Sequence, residues 1–288
     1  MEWTQAIREA VAYIEAHLLE DIAPEDVAAA VHVSSFYFQK GFSLMSGYTI
    51  GEYIRDRRLY LAALDLIAGE EKVIDLALKY GYESPESFTK AFRRFHGMSP
   101  AAARQARRGI RPFLPLKITV SVKGGNEMDY TIEKMDAFRI IGVHRRFRFD
   151  SSYREIPAFW DAFRANDMSR VCASLGGACS VGKYGVCIDD GTDDFEYWIA
   201  GDDPGTPLPE ELSAREIPAQ TWAKFTCTGP LPGALQSVNT QIFNEWLPGN
   251  PDWEIAAGYN IELYDMGDTS AADYHSEIWI PVKRRAKA

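Results

Sequence analysis

The 288-residue chain is short of cysteine, with four, and the first of them is Cys172. Cys172, Cys179, Cys187 and Cys227 make no C-x-x-C pair and have no histidine nearby at metal-ligand spacing, so reduced structural thiols are expected and no metal site. Long apolar runs are lacking too, since nothing approaches the roughly 18 residues that span a bilayer. The start, Met1-Glu2-Trp3-Thr4, lacks the basic-then-apolar layout of a secretory leader, and a cytoplasmic protein is expected. There is no G-x-S-x-G elbow and no P-loop, and His17, His32, His96, His144 and His275 are scattered. The expectation is a protein without enzyme activity, cofactor or metal.

Positive charge is also scarce, with 31 Lys and Arg against 41 acids, but the shortage is uneven. Residues 1–31 hold one Arg against seven acids, net −6, and residues from 113 onward are net −9. Residues 32–112 hold thirteen basic against eight acidic side chains, net +5. A local surplus, more than the total, decides whether phosphates are attracted.

What fills that basic segment is a repeat. Ser34-Ser35-Phe36-Tyr37-Phe38-Gln39-Lys40-Gly41-Phe42 and Ser84-Pro85-Glu86-Ser87-Phe88-Thr89-Lys90-Ala91-Phe92 share S-x-x-x-F-x-K-x-F at an offset of 50 residues. Phe38 and Phe42, like Phe88 and Phe92, are four apart and point to one side of a helix, which leaves Ser35, Phe36, Gln39 and Lys40 facing out. A short alanine-containing helix precedes each copy, with tight connections at His32-Val33 and Gly81-Tyr82-Glu83, which is the layout of a helix-turn-helix. Gly81 suits the cap of the outgoing helix, and Ser84 with Pro85 the start of the next. Between the copies, Thr49-Ile50-Gly51-Glu52 is a capping box opening a helix to about Ala68, with Gly69 as its stop. That spacer rises about 28 Å at 1.5 Å per residue, near the roughly 34 Å of one DNA turn. Phenylalanine pairs alone are ordinary core residues, but a doubled pattern with an outward Lys and a basic flank (Arg55, Arg57, Arg58, Arg93, Arg94, Arg104, Arg107, Arg108) points to double-stranded DNA.

Through Asp26 to Phe42, Tyr53-Ile54-Arg55-x-Arg57-Arg58-Leu59 and Val73 to Pro100, the chain resembles the AraC/XylS transcription regulators. The resemblance covers residues 1–108 and implies seven helices, with base contacts from Ser35, Phe36, Gln39 and Lys40 and from Pro85, Glu86, Thr89 and Lys90. Lysines suit guanine acceptors, Gln39 adenine and Glu86 cytosine, while Arg55, Arg93 and Arg94 are assigned to the DNA backbone.

Residues 109–127 are a junction punctuated by Pro112, Pro115 and Gly124-Gly125, with an alternating segment at Lys117–Val122 that predicts a strand. Residues 128–288 carry a second, weaker duplication of strand, helix, strand, strand. Its first copy is Phe138–Phe147, Tyr153–Ala165, Tyr184–Asp189 and Phe195–Gly201; its second is Thr221–Thr228, Leu235–Leu247, Tyr259–Tyr264 and Ser276–Val282. The expected fold class is therefore multidomain, an all-α double helix-turn-helix domain followed by an α+β domain of two such repeats.

This half resembles the GyrI-like effector-binding domains found behind AraC-type domains in Rob-like regulators, through Met128-Asp129-Tyr130, Trp246-Leu247-Pro248, Glu262-x-Tyr264 and Glu277-Ile278-Trp279-Ile280-Pro281-Val282. The resemblance implies an amphipathic small molecule bound between the repeats. Strand alternation puts Glu277 and Trp279 on one face, and a register that sets Glu277 against Tyr197 makes that pair the expected centre of the cleft, with Trp160, Phe163, Trp222 and Trp246 as walls. A carboxylate among aromatic rings suits a cationic ligand. The acidic run Asp189-Asp190-Gly191-Thr192-Asp193-Asp194 lacks the spacing of a calcium loop and is expected to be a solvated hairpin turn.

Together these expectations describe a ligand-responsive transcription activator, with promoter DNA, a small-molecule effector and RNA polymerase as partners and no membrane. It would act as a monomer on DNA and associate with the nucleoid when bound. A hydrolase using a cleft glutamate and a protein-interaction module are the alternatives.

Overall fold

The computed structural model describes residues 3–69, 71–118, 128–175, 179–192 and 194–285. The chain divides into two compact units, one made of Glu2–Val33 with Ser46–Ser121, the other of Ser34–Met45 with Val122–Ala288. The sequence puts residues 1–108 in one DNA-binding domain, yet Ser34–Met45, the first of the two repeated helices, is grouped with the C-terminal half.

The helical unit contains α1 (Trp3–Ala16) and α2 (Pro24–Ala30), then, beyond α3 (Ser35–Ser46) of the other unit, α4 (Ile50–Ala68), α5 (Val73–Lys79), α6 (Pro85–His96) and α7 (Pro100–Ala106). Their ends follow local chemistry. The Glu52 N–H donates to Thr49 Oγ1 at 3.1 Å while the Thr49 N–H donates to Glu52 Oε2 at 2.9 Å, which closes the capping box expected before α4. Ser84 Oγ accepts from the Ser87 N–H at 3.1 Å, with Pro85 at the first helical position of α6. Gly81, at φ +79°, ends α5 as expected, because only glycine enters the left-handed region at little cost.

Phe88 and Phe92 are fully buried, as their four-residue spacing requires. So is Arg57, at 4% exposed, whose guanidinium donates to both oxygens of Glu15 at 2.7 and 2.6 Å and to the Phe113 carbonyl. Arg58 donates to the Leu18 carbonyl at 2.7 Å. These two arginines, read in the sequence as basic flank, are internal braces, because a buried charge needs a partner at each donor. Residues 107–118 have no strand, and Phe113 packs against Tyr48, Tyr53 and Phe95. The rest of the expected junction strand, from residue 119, lies outside the described residues.

In the other unit the described strands are β1 (Tyr130–Met135), β2 (Phe138–Arg148), β3 (Tyr184–Ile188), β4 (Asp194–Asp202), β5 (Ser213–Ile217), β6 (Gln220–Thr228), β7 (Trp253–Ile255), β8 (Tyr259–Tyr264) and β9 (His275–Arg284). They pair antiparallel in the order β1-β6-β9-β8-β3-β4-β2-β5, with β7 beside β9. Strands β2, β3 and β4 of the first repeat are thus mirrored by β6, β8 and β9 of the second, and the two copies meet at β3 and β8. Each copy carries a helix broken at the same place: α8 (Ser152–Ala162) runs through a π turn at Phe163–Asp167 into α9 (Met168–Ser174), and α10 (Gly233–Gln241) ends in a π turn at Ile242–Trp246. A π turn is rare and concentrates at functional positions; two at matching positions mark the duplication in backbone form.

Cys172 and Cys179 are joined by a disulfide across Cα atoms 4.9 Å apart, inside the span such a bond needs. This replaces the sequence expectation of reduced thiols there; Cys187 and Cys227 are free and buried.

Candidate functional site

Strand alternation sorts the side chains of the central sheet onto two faces. One face carries a packed cluster of Tyr184, Val186, Trp198, Trp222, Ile261 and Trp279, all 5% exposed or less. The other face meets the broken helices, and there the β3–β8 seam sets Gly185 opposite Glu262 and Cys187 opposite Asn260. Tyr197 on β4 lies beside Cys187, and Tyr264 follows Glu262 at the strand's two-residue period.

Two hydrogen bonds order these groups. Trp160 Nε1 of α8 donates to Tyr197 Oη at 2.8 Å, and Tyr264 Oη donates to Glu262 Oε2 at 2.6 Å. The Trp160 ring meets the Tyr264 ring edge-on at 5.4 Å. Gly185 leaves room for both: a Cβ there would stand 2.4 Å from Tyr197 Oη and 3.4 Å from Glu262 Oε2. Burial first, and the Glu262 charge second, push both phenols well above their usual range, so they stay neutral donors. The result is a half-buried carboxylate held by a tyrosine beneath aromatic walls.

Of the residues the sequence puts around a cleft, Tyr197 and Trp160 lie together on the helix-facing side near Glu262, while Glu277 and Trp222 lie on the other face. Glu277 accepts from Trp279 Nε1, and both lie on the face opposite the helices, where the Trp222 and Trp279 rings are 6.3 Å apart. The expected register was one residue off: Glu277-Ile278-Trp279 matches Glu196-Tyr197-Trp198, in which Trp198 Nε1 likewise donates to Glu196 at 2.9 Å. A slip of one position moves every side chain to the other face. Phe163 is buried on the first π turn, and Trp246 packs at the outer edge against Phe225 and Tyr130. In the sequence Glu262-x-Tyr264 carries the family resemblance without being placed in the cleft, and Asn260 and Gly185 carry no expectation, although a glutamate two residues before a tyrosine in an otherwise apolar strand is a signal.

Helix α3 lies on this same face. Tyr37 Oη donates to the Tyr259 carbonyl, Lys40 Nζ donates to Asn260 Oδ1 at 2.9 Å, and the Tyr37 ring lies 6.3 Å from Phe243 of the second π turn. Phe36 packs against Phe195 and Phe149 at 5.3 and 5.9 Å. Asp189 supplies the helix with its N-terminal cap, accepting from Ser34 Oγ at 2.7 Å and from the Phe36 N–H at 3.0 Å. Within the acidic run, then, Asp189 is a docking group; Asp190 and Asp194 accept from Arg146 at 2.9 and 2.8 Å. Of the outward positions expected to touch bases, Ser35 and Phe36 are only 8% and 4% exposed, and Gln39 and Lys40 are half-buried.

The second repeated helix, α6, differs. Glu86 and Lys90 are exposed, Pro85 and Thr89 half-exposed, and these four line an open concavity with Arg93 and Arg94. Its basic last turn and Phe-lined inner side give it the polarity of a recognition helix. Arg55, the third expected backbone contact, is paired with Asp56 at 2.9 Å.

Comparison with known proteins divides the chain between two families. The family of integron-associated effector-binding proteins matches residues 131–282, more than half of the chain. The chain belongs to this family. A helix-turn-helix domain family matches residues 27–106, the stretch that holds both repeated helices, α3 and α6. The HTH-type transcriptional activator AarP of Providencia stuartii is 35% identical over 115 residues, 40% of this chain and 85% of AarP. Transcriptional regulator Rob of Salmonella typhimurium is 34% identical over 122 residues, 41% of this chain and 42% of Rob, so the chain matches less than half of that relative's length. Among solved structures, SAV2435 bound to tetraphenylphosphonium aligns at a TM-score of 0.47 and 19% identity, over 54% of this chain and 94% of SAV2435.

Proposed function

We propose that the chain is a transcription activator whose C-terminal unit binds an amphipathic organic cation at Glu262. The observation that carries this reading is the Glu262 carboxylate, held by Tyr264 and enclosed by Tyr197 and Trp160. A cation is favoured there twice over, by the carboxylate and by the negative faces of the rings, while the Tyr264 hydroxyl satisfies the carboxylate in the meantime. Activation is supported by the likeness to the transcriptional activator AarP, and RNA polymerase is the partner that an activator would engage. Two reading helices in one chain make a monomer on DNA sufficient. The site is one for holding a ligand, not for turning it over, and the whole serves in the cytoplasm and on the nucleoid.

The test is calorimetric titration of the full chain with tetraphenylphosphonium. Saturable binding at one site is expected, weakened at least about tenfold in Glu262→Gln, which keeps the shape and removes the charge. Equal binding by wild type and variant would retire the reading, and steady hydrolysis of an ester analogue would favour an enzyme instead.

A further inference from the structure

Three residues of α3 meet the helix-facing side of the sheet, two of them on β8, the strand that carries Glu262. Lys40 brings an ammonium group to Asn260, the next helix-facing residue before Glu262 on β8. Opposite Asn260 lies Cys187, whose thiol burial above all pushes up, with Lys40 acting against that and Glu262 with it. Tyr37 and Phe36 bring rings, and Phe36 itself lies 5.5 Å beneath the Lys40 ammonium. A cation on an aromatic base is the chemistry inferred above for the effector. Asp189 then holds the helix by its N-terminus from outside the cleft floor.

We propose that α3 is an internal occupant of the effector cleft, with Lys40 standing in for the effector's cation, so that effector binding and docking of α3 exclude one another. The inference rests on the effector reading and adds its regulation. With α3 docked, Ser35 and Phe36 are covered and Lys40 is spent on Asn260, so only α6 is open to DNA. An effector that takes the cleft frees α3 to read bases. The coupling needs no signal through the junction, because one helix surface serves both the cleft and the DNA, and a ligand shifts such an equilibrium only by its preference for one state.

The experiment uses the full chain and tetraphenylphosphonium as probe. Lys40→Met removes the internal cation and Asp189→Ala removes the cap, and neither touches Glu262 or Tyr264. Both are expected to bind the probe about tenfold more tightly than wild type, a direction that general damage to the fold does not produce. In a Cys227→Ser background, maleimide labelling of Cys187 is expected to be faster in Asp189→Ala than in wild type without any ligand. Wild-type probe affinity in both variants, with Glu262→Gln still impaired, overturns the docking proposal and leaves the effector reading standing. Unchanged Cys187 labelling also overturns it. Absence of probe binding in wild type and in both undocking variants overturns both readings together.

Discussion

At the scale of single residues, Gly185 has the sharpest consequence. It shows nothing in the sequence beyond a glycine in a strand, yet the space above its Cα is where Tyr197 Oη and Glu262 meet. Alanine there has no flexible neighbour to yield, since the phenol is locked by Trp160 from one side and Cys187's strand from the other. Gly185→Ala is expected to cost about 1–3 kcal/mol by overpacking, read as a lower urea midpoint with unchanged slope, and to weaken probe binding at the same time. A variant with wild-type stability and affinity would show that the tyrosine is not fixed. Residue identity alone did not reveal such positions. Glu262 and Glu277 are both glutamates in apolar strands, and only the register, set by the Gly185–Glu262 pair, tells which faces the helices. Arg57 made the same point among the helices: nothing local marks it as buried, because its partners Glu15 and Phe113 are distant in sequence.

Elements were far more legible than their partners. The capping box of α4, the Ser84-Pro85 start of α6 and the Gly81 stop of α5 are short-range chemistry, visible in a few residues. The duplicated strand-helix-strand-strand pattern was visible as periodicity, and the two π turns within it were not, since nothing in hydrophobic spacing announces one. How α6 is buttressed was also hidden. His96, in its last turn, sits between the Leu59 carbonyl and the Arg111 N–H, each at 3.1 Å. The Arg111 N–H is a donor, so Nδ1 must accept and Nε2 must donate, which only the neutral ring can do. Burial above all, and Arg111 in addition, lower its pKa from the usual 6.5, although the Leu59 carbonyl works the other way. The sign follows: the unfolded ring takes up a proton that the folded one resists, so stability is complete above about pH 6.5 and is lost as pH falls below it. The melting temperature of the full chain is expected to drop between pH 7.5 and 5.5, and to drop less in His96→Phe. An equal drop in the variant would assign the acid sensitivity elsewhere.

At the scale of the molecule, the two repeated helices are alike in sequence and unlike in environment: α6 presents Glu86, Lys90, Arg93 and Arg94 to solvent, and α3 presents Phe36, Tyr37 and Lys40 to the sheet. The repeat pattern could not foretell this, because the positions of α3 expected to read DNA are the ones that dock, and the docking partners lie about 110 to 220 positions downstream, among them Phe149, Asp189 and Asn260. A regulator with one open and one covered reading helix should have two grades of DNA recognition. Sequences selected from random DNA by the chain alone are expected to carry one conserved segment, the one α6 reads. Selection with saturating tetraphenylphosphonium should add a second segment, one helical turn or about 10 base pairs away. Reciprocity then fixes a number without further assumption: DNA bearing both segments must tighten probe binding by the same factor by which the probe tightens binding to that DNA. DNA with only the first segment should leave probe affinity where it was, because α6 never enters the cleft. Two segments selected without the probe, or equal tightening by both DNAs, would show that α3 reads DNA whether or not the cleft is filled.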